Sequence, residues 1–136
     1  MWRTLSPVLV FSLALLTDHS VEGGDPKLHI IVPKEGDRVP ERPYVSGRVA
    51  DATVEVWVII HPLVVGGYWV QPRPSVRKDG SWKASVYVGR PGSIDIGKGF
   101  EMRAVANPRE QLAEGEMLAS WPEARWESEI MEVFRK

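Results

Sequence analysis

Val54-Glu55-Val56-Trp57-Val58-Ile59-Ile60-His61 decides how the rest of this chain is read. On an extended backbone Val54, Val56, Val58 and Ile60 fall on one side and Glu55, Trp57, Ile59 and His61 on the other, the period of two expected of a sheet strand. Pro62 ends the strand, because it has no N–H to give to a ladder. Working outward, Tyr68 to Gln71 follows the Gly66-Gly67 break as a short edge strand that Pro72 and Pro74 cut off. The Asp79-Gly80 pair then predicts a hairpin with a two-residue loop, both loop residues at φ > 0, folding Ser75 to Lys78 onto Ser81 to Val88. In that second arm Trp82, Ala84, Val86 and Val88 form a core face, and Lys83, Ser85 and Tyr87 point away.

The flanks repeat the pattern. Leu28 to Val32 is a short apolar run ended by Pro33, with turn chemistry in Lys34-Glu35-Gly36-Asp37. Tyr44 to Val49 is bounded by Pro43 and Asp51. Beyond a glycine-rich loop from Gly89 to Gly99, Phe100 to Asn107 alternates Phe100, Met102, Ala104 and Ala106 with Glu101, Arg103, Val105 and Asn107. The stretch 109–126 reads as an irregular segment with at most one helical turn, since Gly115 interrupts it and Pro122 stops it. Glu129 to Phe134 supplies a last strand. There is no internal repeat and no low-complexity tract.

Ahead of these strands lies a leader. Met1-Trp2-Arg3 is minimally positive, Val8 to Leu16 is apolar except for Ser12, and polar residues follow from Thr17. A membrane span needs roughly 20 apolar residues, so the run is short for an anchor and reads as a signal peptide over residues 1–23, with Val21-Glu22-Gly23 as the processing site. A single domain over residues 24–136 is then expected, periplasmic or extracellular, and tied to a membrane only through the leader if that is not removed. Without Arg3, Asp18 and Glu22 the basic and acidic side chains balance, which argues against a basic field for nucleic acid or anionic lipid. Roughly 110 residues suffice for one core. The chain has no cysteine, so packing alone must hold it together.

About seven short strands without helical crossovers predict an all-β fold, an antiparallel β-sandwich of immunoglobulin-like type. Ile31-Val32-Pro33, Glu35-Gly36-Asp37-Arg38-Val39 and Tyr44-Val45-Ser46-Gly47 resemble the opening of bacterial immunoglobulin-like modules of exported proteins, in which a Pro-x-x-Gly turn leads into a Val-x-Gly strand; the Asp79-Gly80-Ser81-Trp82 hairpin is compatible with that likeness. The resemblance implies an adhesive, spacer or binding role. It covers the first two strands, and the tail from Arg109 has no counterpart in it.

No residue pattern names a reaction. His29 and His61 are far apart and accompanied by no cysteine, a poor set for zinc, so no metal and no cofactor are expected. Ser46 and Ser81 lack a nucleophile elbow. Glu55, Asp95 and Glu101 are what a solvated sheet face provides, although paired carboxylates are also the requirement of a small glycoside hydrolase. Gly89-Arg90-Pro91-Gly92 and Gly97-Lys98-Gly99 lack phosphate-loop spacing. What remains is aromatic. Trp57, Trp69 and Tyr87 fall opposite the most regular apolar rows, where exposed rings could stack on a sugar or seat a partner protein. The alternative is that residues 109–126 cover one of those faces with Leu118, Trp121 and Trp126. The expectation is therefore a non-enzymatic binding or structural module acting on a protein or glycan of the cell envelope, with carbohydrate binding as the second reading and no role in nucleic-acid binding.

Overall fold

The computed structural model describes residues 26–136, and the leader with its processing site lies outside them. The described chain is all-β, without a helix: β1 (Leu28–Val32), β2 (Arg38–Val39), β3 (Tyr44–Val49), β4 (Val56–Pro62), β5 (Tyr68–Val70), β6 (Ser75–Val76), β7 (Ser81–Ser85), β8 (Gly99–Pro108), β9 (Met117–Leu118), β10 (Ala124–Glu127) and β11 (Met131–Arg135). They build a four-stranded sheet in the order β1-β3-β7-β6 and a seven-stranded sheet in the order β2-β11-β8-β4-β5-β9, with β10 also on β8. All pairs are antiparallel except β2 with β11. The two sheets face each other as in a β-sandwich, with Leu28, Val45 and Trp82 of one meeting Val58, Met102 and Val133 of the other in one continuous core.

The alternation in β4 and β8 sets this arrangement. Val56, Val58 and Ile60 lie opposite Ala106, Ala104 and Met102, so each strand turns its smaller, regular apolar row inward at the same register. A one-residue slip of either strand would turn its inner row outward. The long β8 is shared along its other edge. Gly99 to Met102 pairs with β11 and Val105 to Pro108 with β10. Between them Ser128 patches the ladder, its N–H donating to the Ala104 carbonyl at 2.9 Å and its hydroxyl accepting from the Ala104 N–H at 2.9 Å.

Two expectations about local structure are corrected. The hairpin joining β6 to β7 has a three-residue loop: Val76 pairs with Trp82, the Gly80 N–H donates to the Arg77 carbonyl and the Arg77 N–H to the Ser81 carbonyl. Only Gly80 takes positive φ, at 87°, which is a turn closed by a glycine bulge rather than a two-residue loop. Its hydrogen-bonding arm is correspondingly short. The glycine is required twice over, since a Cβ there would also strike the Val49 carbonyl oxygen, whose N–H takes the Gly80 carbonyl at 2.8 Å.

The segment 109–126 is the second correction. It contains no helical turn and contributes β9 and the start of β10. Sequence reasoning missed both because each is short and set among turn residues: β9 is only Met117-Leu118 beside a turn at Gly115, and β10, Ala124-Arg125-Trp126-Glu127, alternates over just four residues directly after Pro122. They form because β5 and β8 offer unpaired backbone edges.

Candidate binding cleft

The three aromatic residues singled out from the sequence end in different places. Trp57 is 3% exposed, which corrects its reading as a surface ring. It lies on the outer face of the seven-stranded sheet with Ile59, Val70, Val105 and Leu112, beneath Tyr68, Leu118 and Trp121. The segment after β8 folds back over this face because four large apolar side chains would otherwise meet water. Trp57 Nε1 donates to Glu55 Oε2 at 2.6 Å, which satisfies the one polar atom of the ring. Trp126 does not join this layer. It pairs opposite Ala106 and packs on the inner core instead. His61 is held within the same cover, stacked on Tyr68 with ring centroids 4.0 Å apart and donating from Nδ1 to the Gly67 carbonyl at 2.8 Å.

Trp69 and Tyr87 meet at a cleft. Trp69 is 40% exposed and lies opposite Ile60 in the register, on the inner side of the seven-stranded sheet at a rim that the other sheet does not reach over. It is not on a free edge, because β9 pairs with β5. Tyr87, 49% exposed, stands on the extension of β7, where the flanking Val86 and Val88 are buried. The cleft between them has a volume of about 660 Å³ and runs in toward Ile60, Val70 and Phe100. That volume and its mainly apolar walls suit an apolar side chain or a small ligand.

Gln71 ties the two walls together. It is buried, with its Oε1 accepting from the Tyr87 N–H at 2.7 Å and its Nε2 donating to the Trp69 carbonyl at 3.3 Å. The amide therefore spans the gap between the sheets at the bottom of the cleft and fixes its width.

Two loops form the mouth. The first follows β4 and carries Val64 and Val65, 72% and 73% exposed, an unusual place for adjacent β-branched side chains. The second, from Gly89 to Lys98, is ordered by charge. Asp95 is buried and accepts from the Arg90 N–H at 2.7 Å, Arg90 Nη2 at 2.8 Å and Lys98 Nζ at 3.1 Å. The Arg90 side chain first, then the Arg90 N–H, holds the Asp95 carboxyl well below the usual carboxylate range. Gly89 lets the chain pass over this carboxylate at φ 83°, where a Cβ would press on Asp95 and Phe100.

Behind the second loop lies a buried arginine that the sequence pattern did not single out. Arg135, at the end of β11, is 3% exposed. Its Nη1 donates to the carbonyls of Val88 at 3.0 Å and Arg90 at 2.8 Å, its Nη2 donates to the Gly92 carbonyl, and Glu41 lies 3.7 Å away as a counter-charge. One guanidinium thus gathers three carbonyls of a loop that has no ladder of its own. The signal in the sequence was its parity: Met131, Val133 and Arg135 share one face of β11, and the first two are core.

Both carboxylates that line the cleft are already engaged. Asp95 is consumed by its cations, and Glu114 accepts from the Arg73 N–H at 2.9 Å. Among the described residues no group of three or more His, Asp or Glu side chains could hold a metal ion. No protein-family model, curated protein or solved structure matches this chain, so the reading of the cleft rests on its own geometry.

Proposed function

We propose that this protein is a non-enzymatic binding module of the cell envelope, built on an immunoglobulin-like sandwich, and that its partner inserts an apolar side chain or short extended segment between Trp69 and Tyr87. The observation that carries this reading is the mainly apolar cleft of about 660 Å³ with Val64 and Val65 exposed at its mouth. Adjacent exposed valines cost solubility unless something covers them. The order β1-β3-β7-β6 facing β2-β11-β8-β4-β5 supports the immunoglobulin-like assignment, since that fold sets its first, second, fourth and fifth main strands against the third, sixth and seventh. Export is supported by the leader, whose apolar run from Val8 to Leu16 follows Arg3 and precedes Val21-Glu22-Gly23.

A glycan is the second reading. It is favoured by one feature, the two rings accompanied by Arg90 and Glu114 around the same cleft. An array of apolar and polar peptides and an array of neutral oligosaccharides, probed with the processed chain and with Val65→Asp, separates the two. The first reading expects retention on apolar peptides, reduced about tenfold or more by Val65→Asp. Retention on oligosaccharides alone, or peptide binding indifferent to Val65→Asp, overturns it.

A further inference from the structure

A balanced total charge conceals a division between the two sheets. The strands β1, β3, β6 and β7 contain no aspartate or glutamate, whereas β8, β10 and β11 carry Glu101, Glu127 and Glu132 beside Arg103, Arg125 and Arg135, and Glu110, Glu114, Glu116 and Glu123 lie on the segment that leads to β10. On the outer face of the four-stranded sheet Arg48 and Lys83 point outward in the same rows as Tyr44, Ser46, Ser81 and Ser85. Arg42 stands just before β3, Arg77 just after β6, and Arg73 joins from the crossing between sheets. These five cations line a groove of about 730 Å³ that no carboxylate lines.

We propose that this groove binds an acidic polysaccharide, a chain of sugars bearing carboxylate or sulfate groups. Charge complementarity names the class, and the way the cations are held sharpens it. Arg42 Nε donates to the Val86 carbonyl at 3.1 Å and Nη2 to Ser85 Oγ at 2.9 Å, with the guanidinium 3.7 Å over the Tyr87 ring. Arg48 Nη2 donates to the Asp79 carbonyl at 2.9 Å, and Lys83 Nζ sits 4.2 Å over the Tyr44 ring. Each arginine keeps further N–H donors for a carboxylate or sulfate, and positions set in advance lower the entropy lost on binding.

The nearest carboxylates are already engaged. Asp79 accepts from the Ser81 N–H at 2.9 Å and the Ser81 hydroxyl at 2.7 Å, and Glu55 accepts from Trp57 at 2.6 Å with Arg73 3.8 Å away. Serine hydroxyls set between the cations suit a ligand rich in hydroxyl groups. A single-stranded nucleic acid fits less well, because it needs open aromatic planes for its bases and both tyrosines here already carry a cation over one face.

The groove adjoins the Trp69 cleft, with Pro72 lining both and Arg42 stacked on Tyr87, but Arg48 and Lys83 line the groove alone, so their substitution tests it independently of the function proposed above. Heparin oligosaccharide and polygalacturonate are titrated against the processed chain by calorimetry at low and moderate salt, alongside single-stranded and duplex oligonucleotides. The expected result is saccharide binding that weakens with salt, falls about tenfold or more in Arg48→Thr/Lys83→Thr and changes less than about twofold in Arg109→Thr/Arg125→Thr, which removes equal charge elsewhere. Circular dichroism melting confirms that both double variants fold, and Val65→Asp should bind the saccharide as the parent does. Four results overturn the proposal: no binding of either saccharide, equal losses in both double variants, tighter binding of an oligonucleotide, or self-association at low salt that Arg48→Thr/Lys83→Thr abolishes. The last would assign the face to the acidic tail of a second copy.

Discussion

The two outer faces of this sandwich carry different side chains and meet different fates. On the seven-stranded sheet Trp57, Ile59, Val70 and Val105 point away from the main core and lie under a roof built by residues 109–126. On the four-stranded sheet Ile31, Tyr44, Arg48 and Lys83 point away from the same core and stay open to solvent. The difference is the density of apolar side chains. Four large apolar neighbours on one face justify ordering a long connection over them, whereas a face on which tyrosine and isoleucine alternate with serine and cations gains little from cover. The covered face is closed to solvent, and the open face and the cleft at the rim are the surfaces left accessible.

The comparison is broken most directly at Trp57. Truncation to alanine should cost about 3–5 kcal/mol in urea denaturation, because it empties the layer between the sheet and its roof. A loss below about 1 kcal/mol would mean that the roof does not pack on this ring. Next in size is Arg135→Ala, expected to cost about 3 kcal/mol, since three loop carbonyls lose their donor at once and Glu41 loses its partner. Proteolysis of the loop from Gly89 to Lys98 should accelerate in the same variant.

Asp95→Asn tests the other anchor of that loop and should cost about 2 kcal/mol at neutral pH. The sign with pH follows from the lowered carboxyl pKa. Stabilisation by the ionised group is complete above the unfolded value near 3.9 and is lost as pH falls through the lower folded value, so the gap between parent and variant should be full above about pH 4 and narrow progressively below it. A gap of the same size at neutral pH and at about pH 2.5 would show that the carboxyl matters by shape alone. Gly80→Val should cost about 2 kcal/mol in thermal melts, from positive φ and the Val49 carbonyl together.

Trp69→Ala is the smallest expected effect and the sharpest contrast with Trp57. With two-fifths of the ring exposed it should cost about 1 kcal/mol or less while removing binding at the cleft. A loss as large as that of Trp57→Ala would place Trp69 in the core and remove the basis for the cleft as a site.

How far these fates could be read in advance differs by element. The alternation of β4, β7 and β8 names the inner rows correctly, because a period of two is a local property of extended chain. Trp57 and Trp69 show the limit of the same rule. Parity says that Trp57 points away from Val58, but not that residues more than fifty positions later return to cover it. Parity alone also gave no warning that Trp69 shares the inner side with Ile60, because that follows from the register of β5 on β4. Arg135 lies one residue past the strand read from the sequence, and the carbonyls it gathers belong to a loop more than forty residues earlier.

The amino-acid sequence alone determined that this protein is built of short strands, where several of them turn, and that packing without cysteine holds it, since each of these is set by neighbouring residues. Which faces are open was decided only in three dimensions. Burial of an outward row depends on whether a distant segment has enough apolar surface to lie on it, and the gathering of cations without carboxylates on one sheet of a neutral chain depends on which strands become neighbours. Both are sums over residues far apart in the chain, brought together by strand pairing.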